Sequence, residues 1–211
     1  MSALLLVRHG QASWGATDYD VLSRLGHAQA TALGRSWATR GVRPDTVVRG
    51  AMRRQQETTT GVIDALGVDV PVEVDAGWDE FDHVAILAAH GAAADGSDFD
   101  AVFEQALTGW REGAYDATVE TWGAFTSRVL AAADRALARP GVSAVVSSGG
   151  PVAVVAAALL GGGTLDPLLW RRLNTVVVNS SVTTVVEGRS GRSLVTFNEH
   201  AHLAAGQVSY R

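Results

Sequence analysis

A guanidinium and an imidazole stand side by side near the beginning of the chain. Arg8 and His9 follow the apolar run at residues 3–7 and precede Gly10. Reactive side chains at the end of a buried strand lie at the carboxyl edge of a sheet, where open α/β sheets bind ligands. Imidazole is a nucleophile at neutral pH, and a guanidinium can hold two phosphate oxygens. The triplet predicts a phosphoryl-accepting histidine beside a phosphate clamp. The simpler alternative is a strand that happens to end in polar residues.

Alternating strand and helix patterns predict the elements that would position these side chains. The expected strands cover residues 3–7, 45–48, 71–74, 143–147, 176–186 and 193–197, and the expected helices cover 25–40, 52–66, 121–138, 166–173 and a segment that begins at Pro151. We therefore predict the α/β class, with a mostly parallel central sheet flanked by helices. No repeat or linker interrupts the chain, so residues 1–211 are expected to form one domain.

The segment 77–118 interrupts this alternation. It is rich in Gly, Asp and Ala, contains two tryptophans and shows short helical pieces at best. Insertions of this kind above a sheet are often substrate lids, although a small structural cap would have the same composition. We predict that these residues form a lid or insertion. No pattern in this segment identifies the substrate.

The composition excludes several kinds of chemistry. The chain has 211 residues, of which 47% are hydrophobic and 18% charged, as in ordinary folded domains. It has no cysteine, which excludes thiolate nucleophiles, disulfides and Cys-ligated zinc. All 17 basic residues are arginines, which excludes Schiff-base lysines and P-loop lysines. A net charge of −5 without a basic stripe argues against nucleic-acid and anionic-membrane partners.

The apolar segments bear on the location of the protein. The N-terminal apolar run lacks a basic leader and is too short for a signal peptide. The apolar segment 151–160 is too short to cross a bilayer. We therefore expect a cytoplasmic protein without a membrane partner. The sequence is compatible with a homodimer.

Several segments match a known pattern in the expected order along nearly the whole chain. They are residues 5–11, 22–30, 52–58, 78–81, 145–150 and 197–203. Together they resemble the histidine phosphatase superfamily, which includes the cofactor-dependent phosphoglycerate mutases and many small phosphatases. The resemblance implies a phosphoglycerate mutase-like fold, a small phosphorylated substrate and no bound cofactor. It is much more specific than the first triplet alone.

The resemblance also implies a role for each matching residue. His9 would be the nucleophile that becomes phosphorylated, with Arg8 binding the phosphate beside it. Arg54 would be the second phosphate clamp, because the family motif has a threonine four residues after this arginine. Glu80 would be the general acid that protonates the leaving oxygen. Burial near a phosphate raises the pKa of a carboxyl group, as this role requires.

Two of these assignments have simpler alternatives. Arg53 and Arg54 are consecutive on a predicted helix, so only one of them can point inward. Both could instead lie on the helix surface and pair with Glu57 or Asp64. Glu80 lies in an acidic stretch that could be a solvated loop. The family spacing favours Arg54 and Glu80.

The chain departs from the family pattern after the predicted strand 143–147. The family usually has a second histidine there, facing the first across the phosphate, whereas this chain has Ser148 followed by Gly149. The Ser148 hydroxyl could donate a hydrogen bond to a phosphoryl oxygen, and the Gly149 amide lies at a helix N-terminus that favours anions. Loss of one such donor typically slows a reaction about 100- to 1,000-fold. Three other histidines could substitute for the missing one: His83, His200 and His202.

Residues close to the nucleophile complete the predicted pocket. Gly10 would let the chain turn sharply under the ligand. Gln11 and Ser13 are expected to hydrogen-bond the substrate, and Trp14 either lines the pocket or belongs to the core. The pocket is expected above the carboxyl ends of the strands at 3–7, 45–48 and 143–147.

These observations predict a metal-independent phosphomonoesterase that acts through a phosphohistidine on His9. No metal is expected, because the arginines supply the charge that Mg²⁺ supplies elsewhere. The substitution at Ser148 leaves a second hypothesis, a phospho-ligand binding module with weak activity or none. A third is a sugar-phosphate mutase. Gly15 counts against a mutase, because it lies in a stretch where mutases usually have an asparagine.

Overall fold

A six-stranded sheet forms the centre of the computed structural model, which describes residues 2–13, 20–91, 99–116 and 118–210. The strands are β1 (Ser2–Arg8), β2 (Thr46–Arg49), β3 (Val72–Val74), β4 (Gly141–Ser147), β5 (Val182–Gly188) and β6 (Gly191–Glu199). Their spatial order is β3-β2-β4-β1-β5-β6. The first four strands pair in parallel, whereas β5 is antiparallel to β1 and β6 is antiparallel to β5. The predicted α/β class with a mostly parallel sheet is confirmed.

Helices flank both faces of this sheet. They are α1 (Arg24–Arg40), α2 (Arg53–Leu66), α3 (His83–His90), α4 (Phe99–Glu112), α5 (Trp122–Leu137), α6 (Gly149–Leu160) and α7 (Pro167–Val176). The helix α1 is capped by the Ser23 hydroxyl, and Gly41 ends it in the left-handed conformation with φ 70°. Among the described residues, no helix combines the length and the apolar character needed to cross a membrane.

Alternating side chains of β4 separate two hydrophobic cores. Val145 belongs to the larger core, which α4, α5, α6 and α7 cover. Its neighbours Ala144 and Val146 belong to the smaller core, which α1 and α2 cover. Successive side chains of a strand point to opposite faces, so a strand that is apolar throughout must be covered on both sides. This arrangement leaves the carboxyl edge of the sheet as the place where polar groups can gather.

The helix α4 corrects the prediction of short helical pieces in the segment 77–118. It has 14 residues and buries Ala106, Leu107 and Trp110. These side chains pack into the larger core, and this tertiary burial stabilises a helix in a segment whose composition does not suggest one. That the segment acts as a lid stays a prediction.

The strand predicted at residues 176–186 is correct only in its second half. The helix α7 extends to the first residue of this range, and β5 begins at Val182. Between them, Ser180 adopts a φ of 59°. Its backbone N–H donates to the carbonyls of Arg8 and His9, at 3.0 and 3.3 Å. The segment therefore supports the end of β1, a long-range role that local β propensity does not reveal.

Candidate active site

The carboxyl ends of the parallel strands, together with the loops that follow them, surround a cavity of about 450 Å³. Arg8 at the end of β1 is in register with Ser147 at the end of β4, so the residues after these two strands lie side by side. Six residues that the sequence singled out line the cavity: Arg8, His9, Arg54, Glu80, His83 and Gly149.

The imidazole of His9 is buried and held at both nitrogens. Its Nδ1 lies 2.7 Å from the Gly10 carbonyl oxygen, and Arg54 Nε lies 3.1 Å from its Nε2. A carbonyl only accepts and a guanidinium only donates, so Nδ1 carries the proton and Nε2 carries the lone pair. Burial, and then the charges of Arg54 and Arg8, hold the pKa of His9 well below its ordinary value. The neutral form of the imidazole is therefore favoured, with the lone pair of Nε2 beside a cation.

The backbone around His9 is fixed by residues from distant parts of the chain. Asn179 Nδ2 donates to the His9 carbonyl at 3.1 Å, and the Gly10 amide donates to Thr58 Oγ1 at 2.9 Å. A Cβ on Gly10 would lie 2.5 Å from the Gly26 carbonyl oxygen. A side chain at position 10 would therefore displace either α1 or the backbone beside His9. The sequence analysis missed Asn179, because nothing near it in the chain indicates this contact.

Arg54 and its neighbour Arg53 have different surroundings. Arg54 is buried, and its Nη1 lies 2.8 Å from Asp20 Oδ1. The side chain of Arg53 is 58% exposed and pairs with Glu57 at 2.9 Å on the surface of α2. Arg53 thus lies on the helix surface, as the simpler alternative predicted for both arginines, whereas Arg54 lines the cavity. Asp20 escaped the sequence analysis because it lies far from Arg54 along the chain.

Glu80 faces the cavity on the side of α6. Its Oε2 accepts a hydrogen bond from the Gly150 amide at 3.1 Å, and its Oε1 accepts one from the Phe81 amide at 3.3 Å. A Cβ on Gly150 would lie 2.1 Å from Glu80 Oε1, so a side chain at position 150 would displace the Glu80 carboxyl group. Desolvation raises the pKa of Glu80, and the Gly150 amide and the charge of Arg54 oppose this only in part. The carboxyl group therefore keeps its proton to a higher pH than an exposed glutamic acid does.

The loop that carries Glu80 is tied to α5 by Arg128. The Arg128 guanidinium donates to the carbonyl oxygens of Gly77 at 3.1 Å and Asp79 at 2.7 Å. It is held in turn by Glu120, at 2.6 Å. These contacts satisfy loop carbonyls and set the position of the acid relative to the sheet.

The hydroxyl of Ser148 is engaged away from the cavity. Ser148 is fully buried, and its Oγ accepts a hydrogen bond from Gln55 Nε2 at 3.0 Å. The same amide nitrogen lies 3.2 Å from the Trp78 carbonyl oxygen. Within the described part of the chain, the cavity is lined by Gly149 but not by Ser148.

Gln11 and Ser13 also lie outside the described lining of the cavity. Gln11 Oε1 accepts a hydrogen bond from Ser23 Oγ at 2.8 Å, at the beginning of α1. The Ser13 amide pairs with the chain just before this helix. Their contacts to a substrate stay predictions. Trp14 and Gly15 lie outside the described residues.

The outer wall of the cavity is largely apolar and comes from α4. Phe99, Phe103 and Leu107 line it. The rings of the two phenylalanines are stacked at 6.0 Å with an angle of 7°. Arg171 from α7 also lines the cavity, and its Nε lies 2.7 Å from Glu104 Oε2. The sequence analysis missed the α4 residues because the segment 77–118 has no readable pattern, and it missed Arg171 because this contact with Glu104 joins residues that are far apart along the chain.

All six histidines of the chain lie within the described residues. His9 and His83 line the cavity, whereas His200 and His202 follow β6 and do not line it. Across the part of the chain that the structure describes, no group of three or more His, Cys, Asp or Glu residues is arranged to hold a metal ion. The positive charge in the inner cavity comes from Arg8 and Arg54.

An α/β sheet with a buried, neutral histidine between two arginines at its carboxyl edge is typical of proteins that handle phosphate groups. The chain belongs to the histidine phosphatase superfamily (branch 1), whose pattern it matches over residues 4–200. This membership supports a phosphatase-type enzyme, and both phosphatases and mutases occur among the similar proteins.

Two curated relatives are 2,3-bisphosphoglycerate-dependent phosphoglycerate mutases. The protein from Chelativorans sp. (strain BNC1) is 38% identical over 71 residues, which are 31% of this chain and 34% of the relative. The protein from Mesorhizobium japonicum is 39% identical over 71 residues, which are 30% of this chain and 34% of the relative. The matched stretch thus spans about a third of the length of these relatives.

Solved structures resemble the whole chain. Bacillus stearothermophilus YhfR has a TM-score of 0.72 at 18% identity, covering 96% of this chain and 99% of that one. A phosphoserine phosphatase variant from Entamoeba histolytica, in complex with phosphoserine, has a TM-score of 0.69 at 19% identity, covering 97% and 100%. A mycobacterial glucosyl-3-phosphoglycerate phosphatase has a TM-score of 0.63 at 24% identity, covering 94% and 99%. At these identities the similarity shows the fold.

Proposed function

We propose that the chain is a metal-independent phosphomonoesterase that acts through a phosphohistidine on His9. The observation that carries this proposal is the state of the imidazole. Its Nδ1 is occupied by the Gly10 carbonyl, and its Nε2 has a lone pair beside Arg54 in the cavity. Arg8 lines the same cavity and supplies a second positive charge for a phosphate group.

The first step transfers the phosphoryl group to the protein. Nε2 of His9 attacks phosphorus opposite the leaving oxygen, so that the N–P bond forms as the bond from phosphorus to the alcohol oxygen breaks. Glu80 gives its proton to this oxygen, and Arg8 and Arg54 hold the remaining phosphoryl oxygens. The raised pKa of Glu80 favours this role. The charge of the substrate raises that pKa further.

The second step returns the protein to its starting state. The Glu80 carboxylate takes a proton from a water molecule, whose oxygen attacks phosphorus. The N–P bond of the phosphohistidine breaks and inorganic phosphate leaves. His9 is again neutral and Glu80 is again protonated, so each turnover balances without a metal or a further reactant.

The outer wall favours a phosphatase over a mutase. Phosphoglycerate, the substrate named for the curated relatives, carries a carboxylate as well as a phosphate. Beyond Arg8 and Arg54, the arginine in the described lining is Arg171, which forms an ion pair with Glu104. The adjoining surface of α4 combines the apolar Phe99 and Phe103 with the acidic Asp100 and Glu104. We expect a monoester whose alcohol part is uncharged, because an additional anion would have to displace Glu104 from Arg171.

Hydrolysis of p-nitrophenyl phosphate in EDTA tests the proposal. The wild type should turn over, and His9→Ala should lose activity by more than about 1,000-fold because it lacks the nucleophile. The matched control is His27→Ala, since His27 is 56% exposed on α1 and is expected to leave the rate unchanged. Rapid quenching should trap a phosphorylated wild type and an unphosphorylated His9→Ala variant.

Three results would contradict the proposal. Turnover that survives His9→Ala would exclude His9 as the nucleophile. A wild type that binds inorganic phosphate without turning over either aryl or alkyl phosphates would indicate the phospho-ligand binding module. Interconversion of 2- and 3-phosphoglycerate faster than their hydrolysis would indicate a mutase.

A further inference from the structure

The cavity lacks an imidazole at the position where the resemblance places a second one. Ser148 stands there, and its hydroxyl is fully buried and bound to the Gln55 amide. A phosphoryl group on His9 would therefore contact the guanidinium groups of Arg8 and Arg54 but would receive no hydrogen bond from the Ser148 hydroxyl. A hydrogen-bond donor from another element would complete the site.

His83 is the second histidine that lines this cavity. It is the first residue of α3 and lies three residues after Glu80. Asp82 caps α3, because its Oδ1 accepts hydrogen bonds from the amides of Val84 and Ala85, each at 3.0 Å. The cap fixes the first turn of α3 and therefore the backbone of His83.

The ring of His83 is oriented by packing. It meets the ring of Phe103 edge-on, with the centroids 6.4 Å apart at an angle of 83°. Phe103 belongs to α4, so the imidazole is held between the wall of the cavity and the loop that carries Glu80. An imidazole carries at least one N–H donor in either protonation state, and His83 lines the cavity.

His83 shares the cavity with the two arginines of the predicted phosphate clamp, Arg8 and Arg54. Burial lowers the pKa of His83, and the charge of Arg54 lowers it further, while Asp82 raises it. His83 and Arg54 line the same cavity, so the two side chains face one enclosed space. A neutral imidazole keeps one N–H donor, and a bound phosphate dianion would favour a second one.

We propose that His83 donates a hydrogen bond to a nonbridging phosphoryl oxygen and so supplies, from α3, the imidazole contact that the end of β4 lacks. The inference rests on the proposed function and adds a substrate-contacting residue to it. Bond making and breaking remain with His9 and Glu80. His200 and His202 are excluded from this role by their position after β6, outside the lining.

The variants His83→Leu and His83→Gln test the inference, because leucine and glutamine have similar volumes and glutamine retains an N–H donor. His83→Leu should lower kcat/KM for p-nitrophenyl phosphate about 100-fold and raise the inhibition constant of inorganic phosphate. His83→Gln should recover a substantial part of both. The control His27→Leu should match the wild type, and thermal unfolding of all variants should report whether each is folded.

A second substrate separates a phosphoryl contact from proton donation. Phenyl phosphate differs from p-nitrophenyl phosphate in a more basic leaving oxygen, which needs protonation. A phosphoryl contact predicts the same loss for both substrates in His83→Leu. A loss confined to phenyl phosphate would overturn the inference, and so would equal rates for the leucine and glutamine variants when both are folded.

The outcomes also separate this inference from the proposed function. If turnover depends on His9 while His83→Leu stays within about twofold of the wild type, the inference fails and the proposed function stands. If the wild type shows no turnover, the proposed function fails. The inference about His83 is then tested by the dissociation constant of inorganic phosphate, compared between the wild type and His83→Leu. An unchanged value in His83→Leu overturns the inference.

Discussion

Burial moves the pKa values of the two central groups in opposite directions. For His9 it lowers the pKa, and the charges of Arg54 and Arg8 add to this effect. For Glu80 desolvation raises the pKa, although Arg54 lies near enough to oppose it. The two shifts therefore favour the uncharged form of both groups. In the proposed mechanism the imidazole supplies the attacking lone pair and the carboxyl group supplies the proton.

Glu80→Gln should separate the functional and structural effects of this buried carboxyl group. Turnover of phenyl phosphate should fall by about 100-fold or more, because the leaving oxygen loses its proton donor. The pKa of Glu80 is higher in the folded protein than in the unfolded chain. The free energy of unfolding therefore has its full value below the unfolded pKa, and it falls as pH rises through the folded pKa and the buried carboxyl group becomes charged. The variant should therefore be more stable than the wild type at about pH 8, but not below about pH 4.

Urea midpoints of both proteins at these two pH values measure the effect. Glu112→Gln is a suitable control, because Glu112 is exposed at the end of α4 and lies outside the cavity lining. It should show no comparable pH-dependent gain. A Glu80→Gln protein that is less stable than the wild type at both pH values would contradict the assignment of a raised pKa.

At the scale of the elements, α5 positions the acid although it contributes no residue to the described cavity lining. Arg128 joins α5 to the loop before Glu80 through the carbonyls of Gly77 and Asp79. The first residues of α6 meet the same loop, since the Gly150 amide donates to Glu80. Two helices on one face of the sheet therefore hold the carboxyl group against the end of β4.

Arg128→Ala should weaken both the fold and the reaction. It leaves two loop carbonyls without their donor, which typically costs about 1–3 kcal/mol of unfolding free energy. Displacement of Glu80 should lower kcat about tenfold or more. Arg135→Ala is the matched control on the same helix, because Arg135 is 54% exposed and pairs with Asp75. Its cost should stay below about 1 kcal/mol, with kcat unchanged.

Urea unfolding and steady-state kinetics on the same preparations compare the two variants. Equal effects of Arg128→Ala and Arg135→Ala on kcat would show that the loop does not depend on Arg128. An unchanged kcat with lowered stability in Arg128→Ala would restrict the residue to a purely structural role.

For the whole molecule, an aromatic cluster connects the wall of the cavity to the core. The Trp110 ring of α4 lies 5.0 Å from Phe81, the residue after Glu80. It lies 5.5 Å from Phe125 of α5 and 6.2 Å from Trp170 of α7. Three helices and the loop that carries the acid therefore share one packing centre.

Trp110→Ala should be among the most destabilising substitutions in the chain. Removal of a buried tryptophan typically costs about 3–5 kcal/mol, and the loss of packing under Phe81 should also lower kcat. Urea unfolding measures the first effect, and turnover of p-nitrophenyl phosphate measures the second. Leu168→Ala is the control, because Leu168 is 64% exposed on α7 and should change stability by less than about 0.5 kcal/mol. A cost below 1 kcal/mol for Trp110→Ala would contradict this description of the core.

The main elements could be predicted from sequence because their signals are local. The apolar run of β1, the Ser23 cap and the Gly41 stop each involve a few consecutive residues. The failures occurred where tertiary packing outweighs local preference. The helix α4 depends on the burial of Trp110, and the residues before β5 are occupied in supporting the backbone of His9.

The sequence by itself determined the α/β class and which residues could form a phosphate-handling site, because His9, Arg54 and Glu80 each lie in a short recognisable motif. Only the tertiary structure decided which partners surround them. Asp20 reaches Arg54, and Gln55 withdraws the hydroxyl of Ser148, across 34 and 93 residues of chain. Contacts between distant residues depend on how the helices pack over the sheet. No local pattern of residue types encodes that packing.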